Sequence, residues 1–289
     1  MTRTVYLNGA FVDEAEAKVP IMDRGLLFAD AVYEGIGVLD GRLVDGAKHL
    51  DRLDRSLAAV DIPAPMDRDE LVAVLHELVA RDGLDEGFLY LHVTRGVVER
   101  NYVHAGDLVP TVFAFTQAQH GVAADGEPVV RTMRTFSDLR WARRDVKTTN
   151  LLGQVLAKQA AAEAGDDEAL LVKGDAGDGA AEVTEGGAVS FFPVVDGRLL
   201  VRPLSPEILP GVTRSSVLPV AAAEGLAVEE RTYTLAEALA ADEAFITGAS
   251  SYVEPVGAID GVALGDGAVG PLTRRLRAAY LADVRGRLL

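Results

Sequence analysis

Asp138-Leu139-Arg140-Trp141-Ala142-Arg143-Arg144-Asp145-Val146-Lys147-Thr148-Thr149-Asn150-Leu151-Leu152-Gly153 is the stretch that carries the most information in this chain. One of only five lysines (Lys18, Lys48, Lys147, Lys158 and Lys173) follows three arginines here. It stands directly before a helical pattern that runs from about Asn150 to Ala164. Taken alone, such a lysine reads first as a basic strand end. It also has a chemical reading. Neighbouring cations and partial burial disfavour an ammonium, and a neutral amine is what Schiff-base chemistry with a carbonyl compound requires.

Working outward, Val129 to Thr135 alternates like a strand. Before it, the Gly-, Ala- and Gln-rich run from Gln117 to Gly126 breaks the pattern and reads as a linker. The expected division is a small N-terminal domain over 1–118, a linker over 119–125 and a larger domain over 126–289. In the first part, Asn8-Gly9, suited to a type I′ turn, and Asp40-Gly41 each separate two short apolar runs and predict strand pairs. Leu50, Leu53, Leu57 and Val60 form a helical stripe ended by Pro63 and Pro65. Leu71, Val74, Leu75, Leu78 and Val79 form another, behind an Asp67-to-Glu70 spacing of the capping-box kind. Strands are expected near Phe88 to Arg95 and Thr111 to Gln117. In the second part, strands alternate with turns around Gly174 to Gly179, Asp196-Gly197 and Asp260-Gly261, with helices near Thr213 to Glu224, Thr234 to Ala241 and Pro271 to Arg287. Thr234 to Glu237 repeats the capping-box spacing, and Pro271 suits a first helical position. Mixed order with several hairpins argues against simple βαβ alternation.

The chain has 289 residues, 49% hydrophobic and 25% charged, an ordinary globular balance with length for two domains. No apolar run approaches the roughly 20 residues that span a bilayer. Met1 to Phe11 starts with strand-like alternation and lacks a signal-peptide layout, so a cytoplasmic location is expected. With no cysteine, thiol catalysis and thiolate-bound metal are excluded. A formal net charge of −16 argues against nucleic acid and anionic membrane as partners. An anionic ligand must then be caught by individual cations. The histidines (His49, His76, His92, His104, His120) lack metal-ligand spacing, and no metal is expected. Gly265-Asp266-Gly267-Ala268-Val269-Gly270 fits the dinucleotide pattern, but only 271–289 remain, too short for a further strand and its ribose-binding acid. A turn before the last helix explains it better. Asp175 to Gly179 lacks the alternating acids of a calcium loop and reads as a hairpin tip.

Asp138 to Gly153, followed by Gln154-Val155-Leu156-Ala157-Lys158-Gln159, resembles the cofactor-lysine segment of D-amino-acid aminotransferases. These are fold-type IV pyridoxal-phosphate enzymes, together with branched-chain aminotransferases and aminodeoxychorismate lyases. Asp23-Arg24-Gly25 through Asp30-Ala31-Val32-Tyr33-Glu34, His49-Leu50-Asp51-Arg52-Leu53 and Val93-Thr94-Arg95-Gly96 match in the same order. So do Val183-Thr184-Glu185-Gly186, Leu209-Pro210-Gly211-Val212-Thr213-Arg214 and Asp242-Glu243-Ala244-Phe245-Ile246-Thr247. The resemblance spans nearly the whole chain. It implies a two-domain α/β (mixed α+β) fold, pyridoxal 5′-phosphate between the domains, and a homodimer whose partner completes each pocket.

The resemblance also implies roles. Lys147 holds the cofactor as a Schiff base and shuttles the α-proton. Glu185 keeps the pyridine nitrogen protonated. Arg52 binds the phosphate as a guanidinium fork, with N–H groups of Val212 and Thr213 at a helix start, while Leu209 packs on the ring. Ala249 and Ser250 occupy the other phosphate-side loop, where Ala249 offers only its backbone. Tyr33 and Arg100 match the tyrosine and arginine that hold the substrate carboxylate. Tyr102 stands where the family has a histidine, and a tyrosine does not become cationic near neutral pH. Gly187-Ala188-Val189-Ser190 replaces a stretch of serines and an asparagine, so pocket hydrogen bonds are expected from backbone or water. Gly174 to Gly179 is an extra hairpin segment. The expected reaction moves the amino group of a D-amino acid such as D-alanine to a 2-oxo acid such as 2-oxoglutarate. An L-branched-chain aminotransferase, an aminodeoxychorismate-lyase-type enzyme and a non-catalytic relative are the alternatives.

Overall fold

Asn8 and Gly9, both at positive φ (46° and 97°), turn strand β1 (Thr4–Leu7) into β2 (Ala10–Asp13), the type I′ geometry this dipeptide favours. A short helix α1 (Arg24–Phe28) follows, capped by the Asp23 carboxylate on Gly25 N. It is not legible in the sequence because five residues carry no periodicity. Strand β3 (Ala31–Leu39) turns at Asp40-Gly41 into the two-residue β4 (Arg42–Leu43). Helices α2 (Gly46–Ala59) and α3 (Arg68–Arg81) come next, then β5 (Gly87–Thr94) and β6 (Thr111–Ala118). The sheet order is β2-β1-β6-β5-β3-β4, antiparallel throughout. The helices lie against this sheet and bury Leu50, Leu53, Leu57, Leu71, Leu75 and Leu78. On β5, Leu89, Leu91 and Val93 are buried while Tyr90 and His92, on the opposite face, are partly open, the period-two pattern of a half-covered strand. Asp67 heads α3 without a side-chain cap bond. The expected capping box is therefore not formed there, and Asp69 and Glu70 act on the helix start through charge instead.

The computed structural model describes residues 3–104, 106–122 and 127–288. Two units emerge: Met1–Gly121 with Val146–Asn150 and Arg287–Leu289, and Val122–Asp145 with Leu151–Gly286. This differs from the single boundary expected near 119–125, of which 123–125 lie outside the described residues. The reason is an open strand edge. Strand β4 covers only Val38 and Leu39 of β3, and Val146–Asn150 pairs with the uncovered Ala31–Tyr33 end. Val32 bridges Thr148, and Tyr33 N donates to Lys147 O at 3.0 Å.

The second unit contains β7 (Arg131–Ser137), α4 (Leu152–Glu163), β8 (Glu168–Lys173), β9 (Glu182–Gly186), β10 (Ser190–Val195) and β11 (Arg198–Val201). It continues with α5 (Val212–Ala223), β12 (Ala227–Glu230), α6 (Leu235–Leu239), β13 (Glu243–Gly248), β14 (Tyr252–Ile259), β15 (Val262–Ala263) and α7 (Pro271–Gly286). Its sheet runs β12-β11-β10-β13-β14-β7-β8-β9, with β15 on β14. The strand expected from Val129 begins two residues later, and β12, a mostly exposed edge strand, has no alternation to betray it. Thr234 and Glu237 form the reciprocal capping box at α6. The Gly265–Gly270 run lies in the turn to α7, whose first N–H groups (Leu272 and Thr273) are met by the Glu243 carboxylate. Gly174–Gly179 lies between β8 and β9, its turns closed on Asp175 and Asp178. No helix among the described residues is long and apolar enough to cross a membrane.

Candidate active site

The expected site residues fall into three groups. The first surrounds Lys147. Its backbone is fixed against β3, Lys147 N donates to Ser56 Oγ at 3.3 Å, and its Nζ lies 4.1 Å from the centroid of the Tyr33 ring. Tyr33 in turn stacks on Tyr90, at 5.4 Å, in a row continued by Phe115. His92 adjoins this row, with Tyr90 Oη 3.0 Å from its Nδ1, and burial lowers its pKa to about 4, so it is neutral near pH 7.

One residue further along β3, Glu34 points into the interior and is fully buried. Its carboxylate accepts Arg52 Nε and Nη2, each at 2.8 Å, and His49 Nδ1 at 2.8 Å. Burial opposes ionisation of Glu34, but the Arg52 guanidinium outweighs it and, with His49, brings the pKa to about 2. His49 is pushed down by burial, only partly offset by Glu34. A neutral ring facing a carboxylate donates from Nδ1, which fixes the tautomer. Arg52 is therefore held by one edge of its fork, which sets the plane of its guanidinium. Glu34 and His49 are not among the expected site residues. A signal for them is present, since His49 and Arg52 are spaced i, i+3 on one helical face.

The second group is built on β9. Glu185 is buried, and its Oε1 accepts Arg140 Nη1 at 2.6 Å and Leu209 N at 3.0 Å, whereas Oε2 takes no hydrogen bond among the described residues. Arg140 also grips Asp138 through Nε (2.9 Å) and Nη2 (2.7 Å), and Thr184 Oγ1 donates to Asp138 at 2.8 Å. Burial pushes the Glu185 carboxyl above its ordinary range against the pull of Arg140. Asp138 is driven the other way because its bonds to Arg140 overcome burial. The arginines before Lys147 are thus engaged within their own unit: Arg140 as described, Arg143 by Asp145 at 3.0 Å, and Arg144 by Asp138 at 3.4 Å. In sequence Arg140 reads only as part of that basic run. Its role becomes visible only with its two carboxylates in place.

In the same unit, three residues beyond Leu209, Val212 and Thr213 begin α5 behind Gly211, with no side-chain cap. Their N–H groups lack intrahelical acceptors, as at any helix start. Ser190 Oγ lies 2.8 Å from where a Gly211 Cβ would be, and Ser190 faces Thr247 across β10 and β13. Ala249 and Ser250 form the turn after β13. The buried hydroxyls of Thr247 and Ser251 have no partner among the described residues. A cradle of uncapped N–H groups and unsatisfied hydroxyls suits a phosphate. Ser190, the last residue of the Gly187–Ser190 stretch, brings one hydroxyl to this helix start.

Residues 31–259 match the model of the class IV amino-transferases. The chain belongs to that family. Class IV relatives include the D-alanine aminotransferase of Staphylococcus haemolyticus, 34% identical over 284 residues and covering 98% of both chains. The D-alanine aminotransferase of Listeria monocytogenes serotype 4b is 36% identical over 283 residues, 97% of this chain and 96% of the relative. Among solved structures, a T.th. branched-chain amino acid aminotransferase with pyridoxamine 5′-phosphate superposes with a TM-score of 0.88 at 28% identity, covering 99% of this chain and 95% of that one. The branched-chain aminotransferase of Thermoproteus uzoniensis with norvaline gives 0.87 at 27%, over 99% and 96%. As a class IV enzyme the chain is a pyridoxal-phosphate-dependent aminotransferase, and its residues fit that group. A half-buried lysine lies beside a tyrosine ring, a buried carboxylate has one oxygen uncommitted, and the α5 start offers an anion cradle.

Arg100 and Tyr102 form the third group, in the loop after β5. Arg100 Cζ lies 5.3 Å from the Phe28 ring centroid and 5.6 Å from that of Tyr102. Tyr102 is 77% exposed. No hydrogen bond, ion pair or ring contact among the described residues joins either side chain to Tyr33 or Lys147.

Proposed function

We propose that this chain transfers the amino group of a D-amino acid such as D-alanine to a 2-oxo acid such as 2-oxoglutarate, with the cofactor bound covalently at Lys147 Nζ. The observation that carries the reading is the seating of Lys147 on the uncovered edge of β3, its Nζ over the Tyr33 ring. When bound, pyridoxal 5′-phosphate supplies an electron sink for the pair left on the substrate α-carbon. Lys147 Nζ would hold the cofactor, and its amine would move the α-proton of the substrate. Glu185 Oε2 would accept the pyridine N–H, while Arg140 and Leu209 N fix the other oxygen. Leu209 would pack on the ring face. Val212 N, Thr213 N, the Ala249 backbone and the Ser250 hydroxyl would bind the phosphate, and Arg52, whose plane Glu34 sets, would add its guanidinium. Tyr33, Arg100 and Tyr102 hold the substrate carboxylate. A homodimer in which a second copy completes each pocket, implied by the family resemblance, is part of this proposal. The cytoplasmic location expected from the sequence belongs to the same proposal.

The D-amino-acid assignment draws on the D-alanine aminotransferases above, which are more similar in sequence than the branched-chain structures. Those structures favour a second reading, an L-branched-chain aminotransferase. Borohydride reduction followed by peptide mass spectrometry is expected to place the pyridoxyl label on Lys147, and a label elsewhere defeats the reading. With 2-oxoglutarate as acceptor, D-alanine is expected to outperform L-alanine and L-leucine. The reverse order selects the second reading.

A further inference from the structure

Asp30 accepts Arg24 Nε at 2.7 Å and Arg95 Nε at 2.8 Å, so one carboxylate joins two buried arginines. From that hub the two guanidinium groups reach in different directions. Arg95 donates to Val60 O (2.6 Å) and Asp61 O (2.8 Å), anchoring the hub to the end of α2. Arg24 donates to Asn101 O (2.6 Å) and Tyr102 O (3.2 Å), in the loop that carries Arg100. The base of that loop is tied by Arg24 N to Gly96 O at 2.9 Å and by the Asp23–Val97 bridge. The Phe28 ring lies 4.9 Å from Arg24 Cζ and 5.3 Å from Arg100 Cζ, and its centroid is 5.4 Å from that of Tyr102. Arg24 and Arg95 each have a carboxylate. Arg100 is exposed and makes no ion pair among the described residues. Stacking on an aromatic face orients a guanidinium without neutralising it and leaves its N–H fork open to an anion.

We infer that Arg24 and Phe28 are positioning residues for substrate recognition: together they hold the Arg100–Tyr102 loop so that Arg100 presents an unneutralised, oriented guanidinium to the substrate carboxylate. The inference rests on the reading of Arg100 as the carboxylate ligand and adds the machinery that sets it. Arg24→Met removes both carbonyl anchors and one cation beside the ring. Phe28→Leu keeps apolar bulk but removes the π face from Arg100.

The test uses the holoenzyme and propionate, a carboxylate with no amino group to react. Its dissociation constant is read from the change in cofactor absorbance, beside KM and kcat for D-alanine. Each variant is expected to bind propionate about tenfold more weakly and to raise KM for D-alanine by a similar factor. Cofactor absorbance, the borohydride label at Lys147 and, within about threefold, kcat are expected to stay as in the wild type. A purely structural role would instead lower kcat and cofactor content together, which overturns the inference. Arg100→Met separates the two levels. If it weakens propionate binding while Phe28→Leu and Arg24→Met do not, the positioning role alone is overturned. If Arg100→Met leaves propionate binding unchanged, the carboxylate reading falls and the inference with it. Should Arg24→Met fail to fold, Phe28→Leu, at a half-buried position, decides.

Discussion

Replacing Glu34 by glutamine tests the electrostatics of the lysine-bearing unit. The carboxylate is completely buried and holds Arg52 and His49 through three contacts of 2.8 Å. Its pKa falls from 4.5 to about 2 although burial alone would raise it. A depression of about 2.5 units, at about 1.4 kcal/mol per unit, corresponds to roughly 3 kcal/mol of native-state stability. The folded pKa lies below the unfolded one, so this contribution is complete above pH 4.5 and is lost as the pH falls toward 2. Glu34→Gln leaves a buried guanidinium facing a neutral amide, the costly way to break such a pair. Urea unfolding at fixed cofactor concentration is expected to place the variant roughly 3 kcal/mol below wild type at pH 7, with the gap narrowing between about pH 4.5 and 3. His49, whose pKa burial lowers, makes both proteins lose stability below about pH 6.5, and taking the difference removes most of that slope. A gap under about 1 kcal/mol at pH 7, or one that does not narrow in acid, refutes the argument.

Arg140→Met removes the cation shared by Asp138 and Glu185, whose side chains are almost fully buried. A loss of about 3 to 5 kcal/mol in urea unfolding is expected, with part recovered by Arg140→Lys; a loss below about 1 kcal/mol would contradict the clamp. Thr234→Ala deletes the capping box at α6 and is expected to cost about 1 kcal/mol, read as a lower thermal midpoint at unchanged cofactor absorbance. In the proposed carboxylate site Tyr102 would bring no positive charge, so turnover of (R)-1-phenylethylamine is expected as a side activity, and its absence from enzyme active on D-alanine counts against that account.

Wherever local chemistry decides the backbone, the sequence is legible. Asn8-Gly9, Asp40-Gly41, Asp196-Gly197 and Asp260-Gly261 all take positive φ at strand turns, and the α6 capping box forms from the residues that announce it. At α3 the same spacing misleads, since Asp67 makes no cap bond there. What spacing does not reveal are decisions made between distant segments. Nothing in Val146–Asn150 by itself shows that β4 is too short to cover the start of β3. The position of Lys147 depends on that mismatch.

The same distinction explains which charges can be read. Arg24, Arg52, Arg95 and Arg140 all lie in segments that resemble the family, and each is buried against a carboxylate from the same unit: Asp30, Glu34, or the pair Asp138 and Glu185. In a chain of net charge −16, neutralised arginines shape the site without attracting anions over distance. Recognition of an anionic substrate then depends on cations left without an acid. Arg100, stacked on Phe28 and without an ion pair among the described residues, has that property. A residue list treats Arg52 and Arg100 alike as guanidinium ligands. Burial and pairing assign the first to a fixed plane held by Glu34 and the second to an open charge, and on this argument substitutions at Arg52 and Glu34 belong with cofactor retention, whereas those at Arg100, Phe28 and Arg24 belong with substrate affinity.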